Sequence, residues 1–427
     1  MKILYEDNHL LVVEKPVNMP VQADSSGDPD LLTALKAYVK EKYHKPGDVY
    51  LGLVHRLDRP VGGVMVFART SKAAARLTAQ FSNHTAKKRY AAVVCGRPCA
   101  EATLSDWLRK DEATFSSAVV TEGTEGAKPA RLHYATLAVN SGCALTDIEL
   151  YTGRPHQIRV QMQHAGFPLY GDQRYNPEAR PGQQIALWAY ALTLQHPTLN
   201  EPMTFYSAPQ GEAFAAFPAQ TAMLPAFAVC RGVYLDDDLL VADKNAGVET
   251  EGALTAELNT LFENVRPVHR LDANTMGLIC FARNDAAQAR LECCFAGHHL
   301  EKIYHAIVCG TPPKQGRLID WVVKDAEQAQ VRICKEDERG AMRCELAYRL
   351  LQSDGERSLV EIQLMTGRTH QIRVQMANAG FPVLGDDKYG DRAANKRFNC
   401  RTQQLLAKRL ELEGHSFESL RELTLEK

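Results

Sequence analysis

The sequence predicts two consecutive α+β domains, each a mostly antiparallel mixed sheet with flanking helices. Two observations lead there. The first is that the chain states one pattern twice. LVHRLDRPVGGVMVFAR, with Asp58, returns as PVHRLDANTMGLICFAR, with Asp272. The glycines of TGRPHQIRVQM and TGRTHQIRVQM, Gly153 and Gly367, each follow by 95 residues, so 272 − 58 and 367 − 153 both equal 214. Loops drift in length unless something other than packing holds them, so matched loops mark function as well as duplication. The second observation is that strand-like segments outnumber helical ones and interleave unevenly, which argues against a regular βαβ repeat. At 427 residues the chain suits two domains. They are placed at 1–218 and 219–427, with an Ala- and Pro-rich linker at about 208–230.

Each half opens on an extended Val- and Leu-rich segment, LYEDNHLLVVEKP or YLDDDLLVADKNAG, closed by a turn. The first half then carries about fifteen extra residues, because Tyr5 to His55 spans 50 positions and Tyr234 to His269 spans 35. DPDLLTALKAYVKEKY predicts a helix there, capped by Asp28 or Asp30, with Leu32, Leu35 and Val39 on one face. After HRLD comes a strand (VMVFAR, LICFAR), then a helix opened by Ser71 or Asp285 with Leu77/Phe81 matched by Leu291/Phe295. Further strands follow: RYAAVVCG and IYHAIVCG, then HYATLAV with CALTDIELYT, and ELAYRLL with SLVEIQLMT. A last helix starts right after each Gly-Arg, with Pro155 at its first position and Gly166 or Gly380 as its stop.

Composition narrows the function. No apolar run reaches the ~20 residues of a membrane span, and MKILYEDNHL lacks a secretory apolar stretch, so a cytoplasmic protein is expected. Eleven cysteines fall without regular spacing, there is no C-x-x-C pair, and no His/Cys cluster has zinc spacing. No metal is expected. Charge is nearly balanced: 23 Lys/Arg against 21 Asp/Glu in 1–218 and 27 against 30 in 219–427, or +2 and −3. A nucleic-acid protein usually shows a basic surplus. Any phosphate contacts must come from local patches such as Lys87-Lys88-Arg89, a run that also suits a plain solvated face.

Three elements carry chemistry. His55-Arg56-Leu57-Asp58 and His269-Arg270-Leu271-Asp272 each precede a small-residue turn, which holds an aspartate at a sheet rim. A single turn aspartate usually caps its own backbone; the same four residues twice, in register, point to a site. Lys88-Arg89-Tyr90 and Lys302-Ile303-Tyr304 place a tyrosine 32 residues past each aspartate, as packing, as a stacking ring or as a proton acceptor. Arg154, His156, Gln157 and Arg159, repeated as Arg368, His370, Gln371 and Arg373, cluster polar groups at a helix start. Ile158 and Met162, or Ile372 and Met376, form its buried side. Surface ion pairs are worth only ~0–1 kcal/mol and do not account for that identity.

HRLD with a Gly turn, K-x-Y, TGR-x-HQIR and a later Gly171-Asp172-Gln173-Arg174-Tyr175 or Gly385-Asp386-Asp387-Lys388-Tyr389 together resemble the RluA-type pseudouridine synthases. The resemblance implies two tandem pseudouridine-synthase-like domains that isomerise uridine in rRNA or tRNA without a cofactor. It implies that Asp58 and Asp272 are the essential carboxylates, by covalent attack or assisted elimination at the anomeric carbon, with Arg159 and Arg373 as their counter-charges. Tyr90 and Tyr304 would contact the uracil and take its ring proton. Arg56 and Arg270 would hold the target out of its helix, and His55, His269, Arg154, Arg368, His156, His370, Gln157 and Gln371 would contact substrate. RNA is the expected partner, with a monomer and no membrane. The family's Thr-Ser-Gly after HRLD-x-x is Val61-Gly62-Gly63 in one copy and Thr275-Met276-Gly277 in the other. Two readings stand beside this one: one domain catalytic with the other docking RNA, and a noncatalytic RNA-binding protein. A glycoside hydrolase with paired carboxylates ranks lowest, since each motif block offers one acid.

Overall fold

The computed structural model describes residues 2–297, 300–325 and 330–425, so the first residue and the last two of the expected domains lie outside it. The chain divides into two compact units, Met1–Pro225 and Ala226–Lys427. The stretch expected as a linker is short helix, α4 (Glu212–Ala215) and α5 (Pro218–Ala222), with Phe214, Phe217 and Met223 buried.

The first unit is α+β. Its strands are β1 (Lys2–Glu6), β2 (Leu10–Lys15), β3 (Gly52–Leu53), β4 (Gly62–Ala68), β5 (Lys87–Cys95), β6 (Glu101–Asp111), β7 (Ser116–Val120), β8 (Lys128–Asn140), β9 (Cys143–Leu150), β10 (Leu187–Gln195) and β11 (Pro202–Tyr206). They form one sheet in the order β1-β2-β4-β10-β5-β9-β8-β6-β7, with β3 on β4 and β11 on β10. Only the β4–β10 pairing is parallel among the described strands of this unit. The helices are α1 (Leu31–Lys42), α2 (Ser71–Ser82) and α3 (Gln157–His164). The second unit repeats this plan with β12 (Cys230–Leu235), β13 (Leu239–Lys244), β14 (Arg266–Pro267), β15 (Met276–Ala282), β16 (Glu301–Cys309), β17 (Gln315–Asp325), β18 (Gln330–Cys334), β19 (Met342–Ser353), β20 (Arg357–Leu364), β21 (Leu405–Leu412) and β22 (His415–Glu418). Its order, β12-β13-β15-β21-β16-β20-β19-β17-β18, is the same path, again with one parallel pair, β15–β21. Its helices include α6 (Thr255–Leu261), α7 (Asp285–Ala296) and α8 (Gln371–Asn378).

Side-chain alternation sorts the core onto both faces of the sheet. Leu11, Val13, Met65 and Phe67 pack with Leu31, Leu35 and Val39 of α1 and Ile158 and Met162 of α3. Leu10, Val12, Val64 and Val66 pack on the other face with Ala73 and Leu77 of α2. Each such buried side chain contributes ~1.5–3 kcal/mol. Asp30 caps α1 by accepting the Thr33 N–H at 2.9 Å, while Asp28 is drawn off to Arg59. Thr70 caps α2, and the homologous Asn284 caps α7. The shorter second half still places a helix, α6, between β13 and the HRLD loop.

The parallel pair explains the altered turn after HRLD. Gly62 lies opposite Trp188, where a Cβ would sit 2.3 Å from the indole; in the second unit Met276 faces the smaller Leu406. Large and small have changed places across the pair. Gly63 (φ +122°) and Gly277 (φ +107°) permit a closer approach still, since a Cβ would lie 2.2 or 2.3 Å from the carbonyl oxygen of Ala189 or Ala407. Gly63→Ala is expected to cost more than about 2 kcal/mol in urea denaturation. Gly27→Ala, at positive φ in open space, should cost only about 1 kcal/mol.

Candidate active site

Asp58 stands on the loop between β3 and β4, in a tight turn where its carbonyl accepts the Val61 N–H at 3.0 Å. The buried Lys15 ammonium clamps that turn, donating to the carbonyls of Pro16, Arg59 and Val61 at 2.9, 2.9 and 2.8 Å. Lys244 does the same for Asp272, through the carbonyls of Asn245, Val248 and Ala273 at 3.1, 2.8 and 2.7 Å. Burial lowers both lysines to about 8. Neither clamp was foreseen from the sequence; the signal was a lysine closing the same strand in both halves.

Arg159 extends from α3 to Asp58, with Nη1 3.4 Å from Oδ2, and Arg373 reaches Asp272 at 2.9 Å. The guanidinium is gripped from behind by Asp172, Nε to Oδ2 at 2.8 Å and Nη2 to Oδ1 at 2.7 Å. Asp386 holds Arg373 the same way at 2.7 and 2.9 Å. These second aspartates are fully buried, and bidentate pairing fixes direction as well as charge. Spacing could have found them, because Asp172 and Asp386 also lie 214 apart.

The helix does not begin where the sequence placed it. α3 and α8 start at Gln157 and Gln371, so Pro155 stands before the helix and not at its first position. The reason is His156 (φ 55°) and His370 (φ 53°), which adopt left-handed backbone, uncommon and costly outside glycine. The twist turns each ring back, with Nε2 3.8 Å from Asp58 or Asp272 Oδ2. Nδ1 lies 2.7 or 2.9 Å from the hydroxyl of Tyr175 or Tyr389. That hydroxyl also accepts the N–H of Ser117 or Val331 at 2.8 Å, so each ring is held through Nδ1 with Nε2 facing the carboxylate. Burial lowers the pKa of both histidines, and both rings stay neutral at pH 7.

The helix is also buried nearly all round instead of on one side: Gln157, Ile158, Arg159, Val160, Gln161 and Met162 are all inside. Gln157 and Gln371 line the cavities, and their amides hydrogen-bond within the fold. Gln157 Oε1 accepts from the Thr152 hydroxyl (2.8 Å) and Arg154 N–H (3.0 Å), and its Nε2 donates to Arg131 O (3.2 Å) and Gln161 (2.9 Å). Gln371 repeats the pattern. Likewise, His55 and His269 accept the N–H of Val66 and Cys280 on Nε2 and stack on Phe81 and Phe295, with centroids 4.5 and 4.4 Å apart. The backs of their rings form wall. Arg154 and Arg368 donate to the carbonyls of Pro129 and Arg343. Arg56 and Arg270 are exposed at the rims, Arg270 within 3.7 Å of Glu251.

Asp58 and Tyr90 line one cavity of about 870 Å³, and Asp272 and Tyr304 line another of about 620 Å³. Both tyrosines are buried, and burial followed by the nearby aspartate raises their phenols well above 10. Such a phenol stays protonated. Among the described residues no cluster has the makings of a metal site, and no helix is long and apolar enough to cross a membrane.

The family profile described as RNA pseudouridylate synthase matches residues 9–164 and 238–378, which include Asp58, Tyr90 and Arg159 in one half and Asp272, Tyr304 and Arg373 in the other. The chain belongs to that family. It is an RNA-modifying isomerase of the RluA type. Among its relatives is the ribosomal large subunit pseudouridine synthase D of Zymomonas mobilis, 34% identical over 216 residues, covering 48% of this chain and 68% of that one. The protein of the same name from Pseudomonas aeruginosa is 37% identical over 223 residues, with coverage of 48% and 68%. The solved human RNA Pseudouridylate Synthase Domain Containing 4 aligns with 21% identity and a TM-score of 0.44, over 51% of this chain and 93% of that one.

Burial depresses His55 and His269 to about 3, against 6.5 for a free imidazole. The folded state therefore takes these protons later than the unfolded state, and the stability involved is present above pH 6.5 and lost as pH falls toward 3. Urea titrations should show a smaller loss between pH 6.5 and 4 in the His55→Gln/His269→Gln variant than in the parent.

Proposed function

We propose that each half is an aspartate-dependent pseudouridine synthase site and that both are competent. The observation that carries this reading is the duplicated chain of carboxylate, arginine and buried carboxylate, Asp58–Arg159–Asp172 and Asp272–Arg373–Asp386, opening on a cavity beside a buried tyrosine. A target uridine is extruded into the cavity at a cost of a few kcal/mol, less from a loop than from a helix. The exposed Arg56 and Arg270 help fill the space it leaves. The carboxylate, oriented by Arg159 or Arg373 and flanked by the ring of His156 or His370, acts at the anomeric carbon as the carbon–nitrogen bond breaks. The uracil turns, C5 bonds to the anomeric carbon in place of N1, the C5 proton passes to water and the freed N1 takes a proton up, so the isomerisation balances. A phenol held protonated has no vacancy for the C5 proton, so Tyr90 and Tyr304 offer the base a ring face and an O–H donor. Ribosomal RNA is the favoured substrate pool, since the relatives cited act by name on the large subunit.

Tritium release from ring-labelled uridine in ribosomal RNA tests this. Asp58→Ala and Asp272→Ala should each lose turnover at its own site by more than about 100-fold, and the double variant should be silent. If one single variant already abolishes all release, two independent sites is wrong. Asp172→Asn, assayed in Asp272→Ala, should lower kcat by about 10–100-fold through a misaimed Arg159, with KM little changed. An unchanged kcat there removes the buried acid from the reading.

A further inference from the structure

Lys88 and Lys302 are half-buried in the two cavities, on the strands that carry Tyr90 and Tyr304. Residues two apart on a strand share a face, so each ammonium opens on the same side as its tyrosine. Arg89, between them, points the other way and pairs with Asp147. Neither lysine has a carboxylate partner among the described residues, and the charge nearest in effect to Lys88 is another cation, Arg154. Desolvating an ammonium without a counter-charge is costly, and burial indeed lowers the pKa of both.

The surroundings leave space for that cation. At Gly153 a Cβ would come within 3.2 Å of Lys88 Nζ, and at Gly367 within 3.3 Å of Lys302 Nζ. The glycine of each TGR turn thus gives the ammonium its room. His55 beside Lys88 is neutral and has its Nε2 occupied, so it supplies no compensating charge. Asp58 and Asp272 line these cavities but pair with Arg159 and Arg373, so the lysines are left to meet an anion from outside. RNA brings one with every nucleotide.

We infer that Lys88 and Lys302 bind a backbone phosphate next to the extruded uridine and so position the target for Asp58 and Asp272. This rests on the reading of the cavities as uridine sites. It makes the lysines positioning residues, felt in binding more than in bond breaking. Lys88→Met is placed in the Asp272→Ala background, Lys302→Met in Asp58→Ala, so that one site is read at a time. With tritiated ribosomal RNA that the unaltered enzyme turns over, KM should rise about tenfold with kcat within about threefold. The slope of log kcat/KM against log [KCl] should flatten by about 0.7, the share of one single-strand phosphate. A neutral methylphosphonate at one phosphate flanking the target should slow the unaltered enzyme by a similar factor and leave the lysine variant indifferent. A drop in kcat with KM and salt slope unchanged would assign the lysine to the base and overturn the inference, as would no change at all. If a variant fails to fold, the methylphosphonate series on the unaltered enzyme decides, and full activity at every flanking position overturns it. Persistence of turnover in the aspartate variants is a separate outcome, which defeats the active-site reading and not the phosphate contact.

Discussion

Everything in each site is referred to one guanidinium. Arg159 is buried, and burying a lone cation would be prohibitive, but Asp172 occupies two of its nitrogens from inside while Asp58 meets a third from the cavity. The inner carboxylate makes the outer contact directional: it leaves Arg159 one free edge, and that edge faces the HRLD turn. Arg373 is held identically, with Asp387 adding a further contact at 3.1 Å. The other features serve this axis. Lys15 and Lys244 fix the turn that carries Asp58 or Asp272, Gln157 and Gln371 fix the turn that launches the helix, and the left-handed histidines stand beside the carboxylate.

Identical spacing in two copies made the duplication legible and strand-rich, uneven interleaving the α+β class, while the aspartate–arginine pairs were implied by the family resemblance. The sequence was silent where conformation overrode pattern. Pro155 looked like a helix start, but left-handed His156 delays the first turn. Gln157 looked like a ligand group, since polarity in a motif does not say whether a side chain faces a cavity or its own loop. The buried helix side was read too narrowly, because Arg159 and Gln161 are inside by virtue of partners far away in sequence, Asp172 and Asp106. β10 escaped notice altogether. LWAYALTLQ is apolar on both faces, so it lacks the alternation that announces a strand.

The two copies have kept the surroundings of the guanidinium and changed other parts. Arg59 straps residues 18–28 across the mouth of the first cavity through Asn18, Ser26 and Asp28; its counterpart, Ala273, has nothing to strap with. α1 gives way to the shorter α6, and Trp188 over Gly62 becomes Leu406 beside Met276. The divergence reaches the buried parallel pair as well as the cavity mouth, while the hydrogen bonds of Asp172 and Asp58 to Arg159 recur from Asp386 and Asp272 to Arg373.

The position of β10 sets an order on birth at the ribosome. It lies between β4 and β5, which precede it by some hundred residues, and it arrives only at Leu187. Until it has left the exit tunnel the sheet is two separate fragments, with the HRLD turn on one and the tyrosine strand on the other. Long-range closure of this kind is slow and leaves unpaired edges waiting. A nascent first unit thus passes much of its synthesis with its middle open, and β21, between β15 and β16, imposes the same wait on the second, nearly to the end of the chain.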